Sequence, residues 1–166
     1  TRFIELASEV NSSMPEFVVG KVREALNQAR RPVNGSRILV LGVAYKPDID
    51  DVRESPALDV IRLLEEEGAE VEYHDPLVPE LREDDRAWRS VALTEEELDR
   101  ADAVVIVTNH SSFDVELILA SSRTLVDARN ATAGIASAGV TGRPQRWIVK
   151  AESPESPVDK RLAPTG

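Results

Sequence analysis

The start of the chain carries apolar side chains at the spacing of an α-helix. Apolar positions recur every third or fourth residue from Phe3 to Ala25, which is the helical period. Ser13 and Glu16 have the spacing of a capping box around Pro15, which would occupy an early helical position where its missing N–H costs little. The pattern therefore predicts two helices with a junction near Pro15.

The apolar stripe on residues 3–14 has no evident partner in a chain of this length. Two interpretations stay open: packing against the main domain, or contact with another subunit or with sequence outside this chain. The chain begins with Thr1 inside this amphipathic segment. We therefore expect it to be a piece of a longer polypeptide.

The next part of the chain predicts a strand, a helix and a second strand. After a turn at 33–35, the continuous apolar run RILVLGVAY is typical of a central strand in a parallel sheet. Ser55 before Pro56 is an N-cap signal, and the periodicity that follows predicts a helix that ends at Gly68. AEVEYHDP then alternates polar and apolar residues up to an Asp-Pro turn, which predicts the second strand.

The same alternation continues toward the C-terminus. Thr94 and Glu97 form a capping box for a short helix, and ADAVVIVT predicts a buried strand. A helix over 112–120 follows, then strands at RTLVD and RWIVK. Alternating β and α elements predict an α/β fold, a doubly wound parallel sheet with helices on both faces, preceded by an N-terminal helical segment. Residues 151–166 contain three prolines and little apolar surface, which predicts a disordered tail.

Composition limits the classes of partner. With 166 residues the chain is long enough for one domain with a core, plus extensions. Its 30 acidic and 20 basic residues give a formal net charge of −10, which argues against general binding to nucleic acid or to anionic membranes. The chain has no cysteine, so it contains no disulfide, thiolate metal site or thiol nucleophile. Any anion that it binds must be held locally.

The sequence shows no sign of a membrane or export segment. No run of about 18 apolar residues is present, and no basic segment precedes an apolar one as in a signal peptide. We therefore expect no membrane span, no export and a location in the cytoplasm.

Cationic side chains follow the predicted strands at one edge of the sheet. Ligands of open parallel sheets bind beyond the carboxyl ends of the strands. The loops at that edge carry Tyr45, Lys46, Arg53, His110 and Arg129. A lone arginine is usually part of a surface ion pair, but several cations at one edge of an acidic protein indicate a site for a phosphorylated small molecule.

The loop YKPDIDDVRESP follows a strand and leads into a helix, as a dinucleotide fingerprint does, yet only Gly42 remains of the expected glycines. Backbone amides need glycines to approach a pyrophosphate, and the bulky Tyr45, Lys46 and Pro47 prevent that approach. Side chains are therefore expected to bind the phosphate, Lys46 as a point charge and Arg129 as a fork for two oxygens. Tyr45 would stack on or flank a base or sugar.

The acidic residues of this loop have two explanations. The run Asp48, Asp50 and Asp51 is compatible with a divalent-cation site, since hard cations favour several carboxylates. Acids before a helix also complement its dipole and pair with cations such as Lys46 and Arg53. We favour the second explanation and predict no metal site.

Asp75 and His110 also lie at this edge. Asp75 stands where a dinucleotide-binding fold keeps its ribose-binding acid, although an Asp-Pro turn explains it more simply. His110 has no second histidine nearby except His74 in another loop. We therefore assign His110 no ligand role and no catalytic role.

Four stretches of the sequence carry a recognisable combination of motifs. They are FIELASEVNSSMPEFVVGKVREALN, GVAYKPDIDDVRESPALDVIRLLEEEGAEVEYHDP, VTNHSSFDVELI and VDARNAT. Tyr-Lys, Arg-Glu-Ser-Pro seven residues later and a distant Asp-x-Arg-Asn form a highly specific set. This set resembles the C-terminal part of the UDP-glucose/GDP-mannose dehydrogenase family, and the resemblance covers residues 1–150.

The resemblance implies a three-part enzyme with an N-terminal NAD-binding domain, a central helical dimerisation region and a C-terminal Rossmann-like domain that binds the nucleotide sugar. Members of the family oxidise the sugar C6 alcohol to a carboxylate in two NAD-dependent hydride transfers, through a thiohemiacetal on a cysteine. By this resemblance, residues 1–30 end the dimerisation region, 31–150 form the nucleotide-sugar-binding domain and 151–166 are the tail.

The same resemblance sets expectations for activity and assembly. The chain lacks the glycine-rich NAD fingerprint and the cysteine nucleophile, so we expect no catalytic residue in it and no activity from it alone. The full-length enzyme is expected to be a homodimer, with the stripe on residues 3–14 in the dimer region. A stand-alone nucleotide-binding or regulatory module without catalysis is the alternative function.

Site roles are carried over by motif. Tyr45 and Lys46 would contact the nucleotide sugar, and Arg129 would hold substrate from the neighbouring part of the same pocket. Arg53 would reach NAD held by the N-terminal domain outside this chain. The loop NHSSFD has a His-x-x-Phe-Asp form similar to enzymes that act on UDP-N-acetylhexosamines, whereas enzymes that oxidise UDP-glucose tend to carry Thr-Glu-Trp there.

Overall fold

The computed structural model describes residues 2–132 and 147–150, and their side chains from 14 to 132. The helices and strands in this part of the chain are, in order, α1 (Arg2–Gln28), β1 (Arg37–Leu41), α2 (Pro56–Glu66), β2 (Glu70–His74), β3 (Glu80–Glu83), β4 (Arg86–Arg89), α3 (Glu95–Arg100), β5 (Ala103–Ile106), α4 (Val115–Ser121), β6 (Thr124–Asp127) and β7 (Trp147–Lys150). The disordered tail predicted for 151–166 lies outside the described residues.

Among the described residues, five parallel strands form one sheet in the order β2-β1-β5-β6-β7. The strand β1 pairs with β2 on one side and with β5 on the other, with Ile38 opposite both Val71 and Ala103. The chain thus leaves β1 in one direction and later returns to its other side, which makes a topological switch point between β1 and β5. The predicted α/β fold with a parallel sheet is confirmed.

The sheet is covered on both faces, as the alternating elements predicted. Side chains of β1 point to opposite faces in turn. Ile38 and Val40 pack into the core beneath α1 and α2, whereas Leu39 and Leu41 pack into the core beneath α3 and α4. No helix in the described part of the chain has the length and the apolar character needed to cross a membrane.

Local capping signals position the helices that border the site. Ser55 caps α2 by accepting a hydrogen bond from the amide of Ala57, and Thr94 caps α3 by accepting one from Glu97. Both caps were predicted. The helix α4 begins after Asp114, whose carboxylate caps it, and not at 112 as the periodicity predicted. The segment NHSSF therefore belongs to the loop that follows β5 and not to the helix.

The prediction of two helices separated near Pro15 is wrong. The helix α1 runs without interruption through Pro15. A proline inside a helix removes its own amide donor and crowds the carbonyl four residues earlier, so a helix continues through it only when packing elsewhere holds the helix. The second half of α1 is held by buried side chains that include Val18, Val22 and Leu26.

The hairpin formed by β3 and β4 was not predicted. Its ten residues, ELREDDRAWR, contain little apolar surface, and its turn places Asp84 at a left-handed φ of 52°. Leu81 is buried opposite Trp88. The Arg86 guanidinium lies 4.5 Å from the centre of the Trp88 ring and pairs with Glu65 of α2. Contacts with α2 therefore stabilise a hairpin that the pattern of polar and apolar residues in this segment does not predict.

Candidate functional site

The loops after β1 and β5 meet at the switch point, and the loop after β6 lies beside them. A cavity of about 330 Å³ lies at this edge of the sheet. It is lined by Tyr45, Lys46, Pro47, Thr108, Asn109 and Arg129. Three side chains that the sequence singled out, Tyr45, Lys46 and Arg129, are thus brought to one cavity. Arg53, the fourth, is not among the lining residues.

Gly42 allows the loops after β1 and β5 to approach each other. Its φ is +81°, in the left-handed region, and a Cβ there would overlap the backbone carbonyl of Thr108. The Thr108 hydroxyl in turn donates to the carbonyl of Ala44 at 2.6 Å. Gly42 therefore allows the backbones of the loops after β1 and β5 to contact each other.

The amides that follow Gly42 are occupied by a side chain of the protein. The carboxylate Oδ2 of Asp75 accepts hydrogen bonds from the amides of Val43 and Ala44, at 2.8 and 3.2 Å. In a dinucleotide loop the corresponding amides face the pyrophosphate. An internal carboxylate takes that place here, so these amides are not available to a ligand.

Asp75 does more than form the Asp-Pro turn that the sequence indicated. Its Oδ1 accepts from the amide of Leu77 at 2.9 Å, which is the expected turn contact. Its Oδ2 also lies 2.8 Å from Nε2 of His110, and both side chains are fully buried. Asp75 is therefore fully bonded inside the fold and is not free to bind a ribose.

His110 is buried and bonded, in contrast to the isolated loop histidine that the sequence indicated. Its Nδ1 accepts a hydrogen bond from the backbone amide of Asp48 at 2.9 Å. Its ring stands edge-on to Phe113, with centroids 5.4 Å apart. The imidazole thus connects the end of β2 with the loops after β1 and β5.

Asp48 has a strained backbone that its neighbours hold. Its φ is 63°, and its carboxylate accepts hydrogen bonds from the amide and the hydroxyl of Ser111, at 2.8 and 2.7 Å. The backbone hydrogen bond from Ser111, followed by the hydroxyl bond, lowers the pKa of the Asp48 carboxyl below its ordinary value. This carboxylate therefore stays charged and bound to the loop after β5.

Lys46 and Tyr45 enter the cavity from the loop after β1. The Lys46 ammonium lies 5.5 Å from the centre of the Tyr45 ring, and the ring is exposed. The amide of Tyr45 donates to the carbonyl of Asp51 at 2.7 Å, which closes the loop behind them. Within the described side chains, the Lys46 ammonium has no carboxylate partner.

Arg129 enters the cavity from the loop after β6. Its Nε donates to the carbonyl of Val107 at 2.6 Å, which fixes the base of the guanidinium. Asp127 organises this loop, because its carboxylate accepts from the amides of Arg129, Ala131 and Thr132. In the part of the chain with described side chains, the terminal nitrogens of Arg129 have no acceptor, so its fork remains available to an anion.

Arg53 is paired within its own loop. Its guanidinium forms two hydrogen bonds with the carboxylate of Asp51, at 3.0 and 2.8 Å, and its side chain is 87% exposed. The side-chain hydrogen bonds from Arg53 lower the pKa of Asp51 to about 2. Asp51 thus pairs with Arg53, as the pairing explanation expected, whereas Asp48 bonds to Ser111 and not to Lys46. Among the described residues no cluster of acidic or histidine side chains has the arrangement of a metal site.

A comparison with known protein families shows to which family the chain belongs. Residues 39–134 match the profile described as the UDP-glucose/GDP-mannose dehydrogenase family, UDP binding domain. The match covers more than half of the chain. The chain belongs to this family.

Individual relatives support this assignment. A UDP-N-acetyl-D-mannosamine dehydrogenase of Campylobacter jejuni is 37% identical over 115 residues, which are 68% of this chain and 27% of that protein. A UDP-glucose 6-dehydrogenase of Haloferax volcanii is 33% identical over 132 residues, 77% of this chain and 30% of that protein. The chain therefore spans less than a third of these two relatives.

The fold agrees with a solved structure of the dehydrogenase family. The structure of a UDP-D-ManNAc dehydrogenase from Pyrococcus horikoshii superposes with a TM-score of 0.70 at 29% identity, and the match covers 91% of this chain and 34% of that chain. The sequence expectation of a UDP-binding, Rossmann-like domain from a nucleotide-sugar dehydrogenase is thus confirmed at the level of family and fold.

The sequence placed Asp75 and His110 at this edge of the UDP-binding domain but did not reveal that they organise the site. Asp75 and His110 lie 35 positions apart in the sequence, and their partners Val43 and Asp48 belong to a third segment. No short-range pattern in the sequence predicts contacts between three such distant segments. One available signal was the combination of an acid at the end of β2 with a loop after β1 that lacks the usual glycines.

Proposed function

We propose that this chain is the nucleotide-sugar-binding part of an NAD-dependent UDP-sugar 6-dehydrogenase, which oxidises the sugar C6 alcohol to a carboxylate. One observation carries the proposal. Lys46 and Arg129, from loops after two different strands, line the same cavity and have no anionic partner among the described side chains. Two uncompensated cations that face one cavity of an acidic protein favour a ligand with two negative groups.

Each part of a UDP-sugar has a proposed partner among the lining residues. The diphosphate of UDP would lie between the Lys46 ammonium and the free fork of Arg129. The exposed Tyr45 ring offers an apolar face to the uracil or to the sugar. Asn109 adds an amide side chain that can hydrogen-bond to the ligand, whereas the Thr108 hydroxyl already donates to the carbonyl of Ala44.

NAD does not fit the loop after β1 of this domain. The amides of Val43 and Ala44, which would meet its pyrophosphate, are bonded to Asp75. We propose that NAD is bound by another domain of the full-length enzyme and that Arg53, exposed beside the cavity loop, faces that domain. The cysteine-free chain would then bind a UDP-sugar without oxidising it.

We place the substrate among UDP-N-acetylhexosamines, and the enzyme in the cytoplasm as a homodimer through the α1 region. The loop that contains His110, Phe113 and Asp114 has the form that motivated this choice from the sequence. The named UDP-N-acetyl-D-mannosamine dehydrogenase relative lends support. Turnover of the full-length enzyme with UDP-N-acetylhexosamines and with UDP-glucose tests the choice, which exclusive use of UDP-glucose would contradict.

Titration calorimetry on the 166-residue chain tests the binding site. We expect UDP to bind, and Lys46→Ala and Arg129→Ala each to weaken binding by about tenfold or more, because each removes a charge-assisted contact worth roughly 1.5 to 3 kcal/mol. Lys21→Ala and Arg100→Ala are matched controls that remove the same charges from exposed ion pairs on α1 and α3.

The controls distinguish a local site from general electrostatics. We expect Lys21→Ala and Arg100→Ala to bind UDP as the unchanged chain does. Unchanged affinity in both cavity variants, or equal losses in the cavity variants and the controls, would contradict the proposed site.

A further inference from the structure

His110 lies behind the cavity and does not line it. Its side chain is fully buried, whereas the cavity wall next to it is formed by Thr108 and Asn109. It therefore cannot touch a ligand in this arrangement. Its contacts are with Asp75, the Asp48 backbone and Phe113.

The partners of His110 define its tautomer. The amide of Asp48 can only donate, so Nδ1 must carry a lone pair to accept from it. The proton of the neutral ring then resides on Nε2, from which it is donated to the carboxylate of Asp75. Both ring nitrogens are satisfied, and the imidazole links Asp75 to the backbone of the loop that carries Lys46.

The segment around Lys46 depends on this link. Asp48, two residues after Lys46, adopts a left-handed backbone, which is uncommon for residues other than glycine although Asp and Asn adopt it more often than most. Strained conformations of this kind persist when surrounding contacts determine them. The contacts here come from one short segment: His110 holds the Asp48 amide, and Ser111 holds its carboxylate.

On the other side of Lys46, the backbone is fixed by the hydrogen bond from Thr108 to the carbonyl of Ala44 and by the bond from the Tyr45 amide to Asp51. The residues before Lys46 thus have anchors that do not involve the imidazole, in addition to the bonds of Val43 and Ala44 to Asp75. Loss of the His110 contact would leave Asp48 held only through the bonds of its carboxylate to Ser111, which would loosen the backbone after Lys46 and the direction in which the ammonium points.

We propose that His110 is a positioning residue for UDP binding: its Nδ1 holds the Asp48 amide and thereby directs Lys46 into the cavity. The inference rests on the proposed function, since it assumes that Lys46 contacts the diphosphate. It adds a buried residue that never touches the ligand to the groups that determine affinity.

Three substitutions separate positioning from core packing. His110→Phe keeps a ring against Phe113 and removes both nitrogens. His110→Asn keeps an acceptor at the position of Nδ1, which faces the Asp48 amide, whereas His110→Gln keeps a donor at the position of Nε2, which faces Asp75. His74→Phe is the matched control, because His74 also lies beside Phe113 but bonds to the carbonyl of Val91.

The readouts are the UDP dissociation constant of the 166-residue chain by calorimetry, its melting temperature, and the ¹⁵N heteronuclear NOE of the Lys46 amide without ligand. We expect His110→Phe to weaken UDP binding by about tenfold and to lower the NOE, since a misdirected contact group loses most of its contribution. His110→Asn should recover more affinity than His110→Gln, and His74→Phe should bind as the unchanged chain does.

Several outcomes would overturn the proposal. Unchanged affinity in His110→Phe, or recovery by Gln that equals or exceeds recovery by Asn, would show that His110 acts through Asp75 and packing alone. If His110→Phe does not fold, the comparison of Asn with Gln decides. If the unchanged chain does not bind UDP, the proposed function fails, and the NOE of Lys46 alone tests positioning: a fall in His110→Phe supports it and an unchanged value overturns it.

Discussion

The carboxylate of Asp75 accepts hydrogen bonds from the amides of Val43 and Ala44, the positions at which a dinucleotide loop offers its amides to a pyrophosphate. At the scale of single residues, this contact explains why bulky side chains are tolerated next in the loop. The anion that binds the amides is part of the protein, so the loop needs no glycines beyond Gly42 for a ligand to approach. We propose that the side chains of Tyr45 and Lys46 contact the ligand instead.

A pair of glycine substitutions tests the role given to Gly42. Gly42→Ala should lower the free energy of unfolding by about 3 kcal/mol, because the left-handed φ and the overlap with the Thr108 carbonyl both oppose a Cβ. Gly20→Ala is the control. It lies within α1 with open space around it and should raise the free energy of unfolding by about 1 kcal/mol.

Urea unfolding followed by circular dichroism measures both changes. A Gly42→Ala variant as stable as the unchanged chain would show that the loops after β1 and β5 do not need the close approach described here.

At the scale of elements, each loop of the site is held by carboxylates. Asp127 organises the loop after β6, Asp48 joins the loop after β1 to the loop after β5, and Asp51 holds Arg53. An acidic chain thus uses carboxylates to order the loops that present its cations. This arrangement links the order of the site to the ionisation of those acids.

The stability of the loop after β1 should therefore depend on pH. The pKa of Asp51 is lowered to about 2 in the folded chain, below its ordinary value. A lowered pKa means that the ionised carboxylate adds stability above the ordinary aspartate range near pH 4, and that this contribution disappears as the pH falls toward about 2.

Asp51→Asn removes this contribution. The difference in free energy of unfolding between the unchanged chain and Asp51→Asn should be largest at neutral pH and shrink as the pH falls from about 4 to about 2. Urea unfolding at a series of pH values measures it. A difference that stays constant or grows with acidity would contradict the assigned pairing of Asp51 with Arg53.

Elements with local signals were predicted, and those that depend on distant contacts were not. The helix caps at Ser55 and Thr94 and the apolar strands each depend on a few adjacent residues, so their positions can be predicted from the sequence. The hairpin of β3 and β4 depends on Glu65 of α2, and the continuity of α1 through Pro15 depends on a buried second half. Neither dependence is visible in the segment concerned.

The candidate site shows the same division. That Tyr45, Lys46 and Arg129 share one edge follows from strand order, because the carboxyl ends of parallel strands meet there. The bond between His110 and the Asp48 amide, and its connection to Asp75, depend on side-chain directions that no periodicity encodes. The residues that line the cavity were therefore predicted, and the residues that hold them were not.

At the scale of the whole molecule, a chain of net charge −10 presents two cations, Lys46 and Arg129, in one cavity at the edge of its sheet, and neither has an anionic partner among the described side chains. The general field of the protein repels anions, so affinity for a diphosphate must come from this local pair. The chain spans about a third of the solved relative it matches. We propose that the remainder of the enzyme binds NAD and carries the nucleophile, while this domain binds UDP.

The central claim is that side chains, and not backbone amides, bind the diphosphate. A crystal structure of the 166-residue chain with UDP tests it most directly. We predict diphosphate oxygens at about 3 Å from the Lys46 ammonium and the Arg129 guanidinium, with Asp75 still bonded to the amides of Val43 and Ala44. A diphosphate seated on those two amides with Asp75 displaced, or bound away from Lys46 and Arg129, would contradict the account.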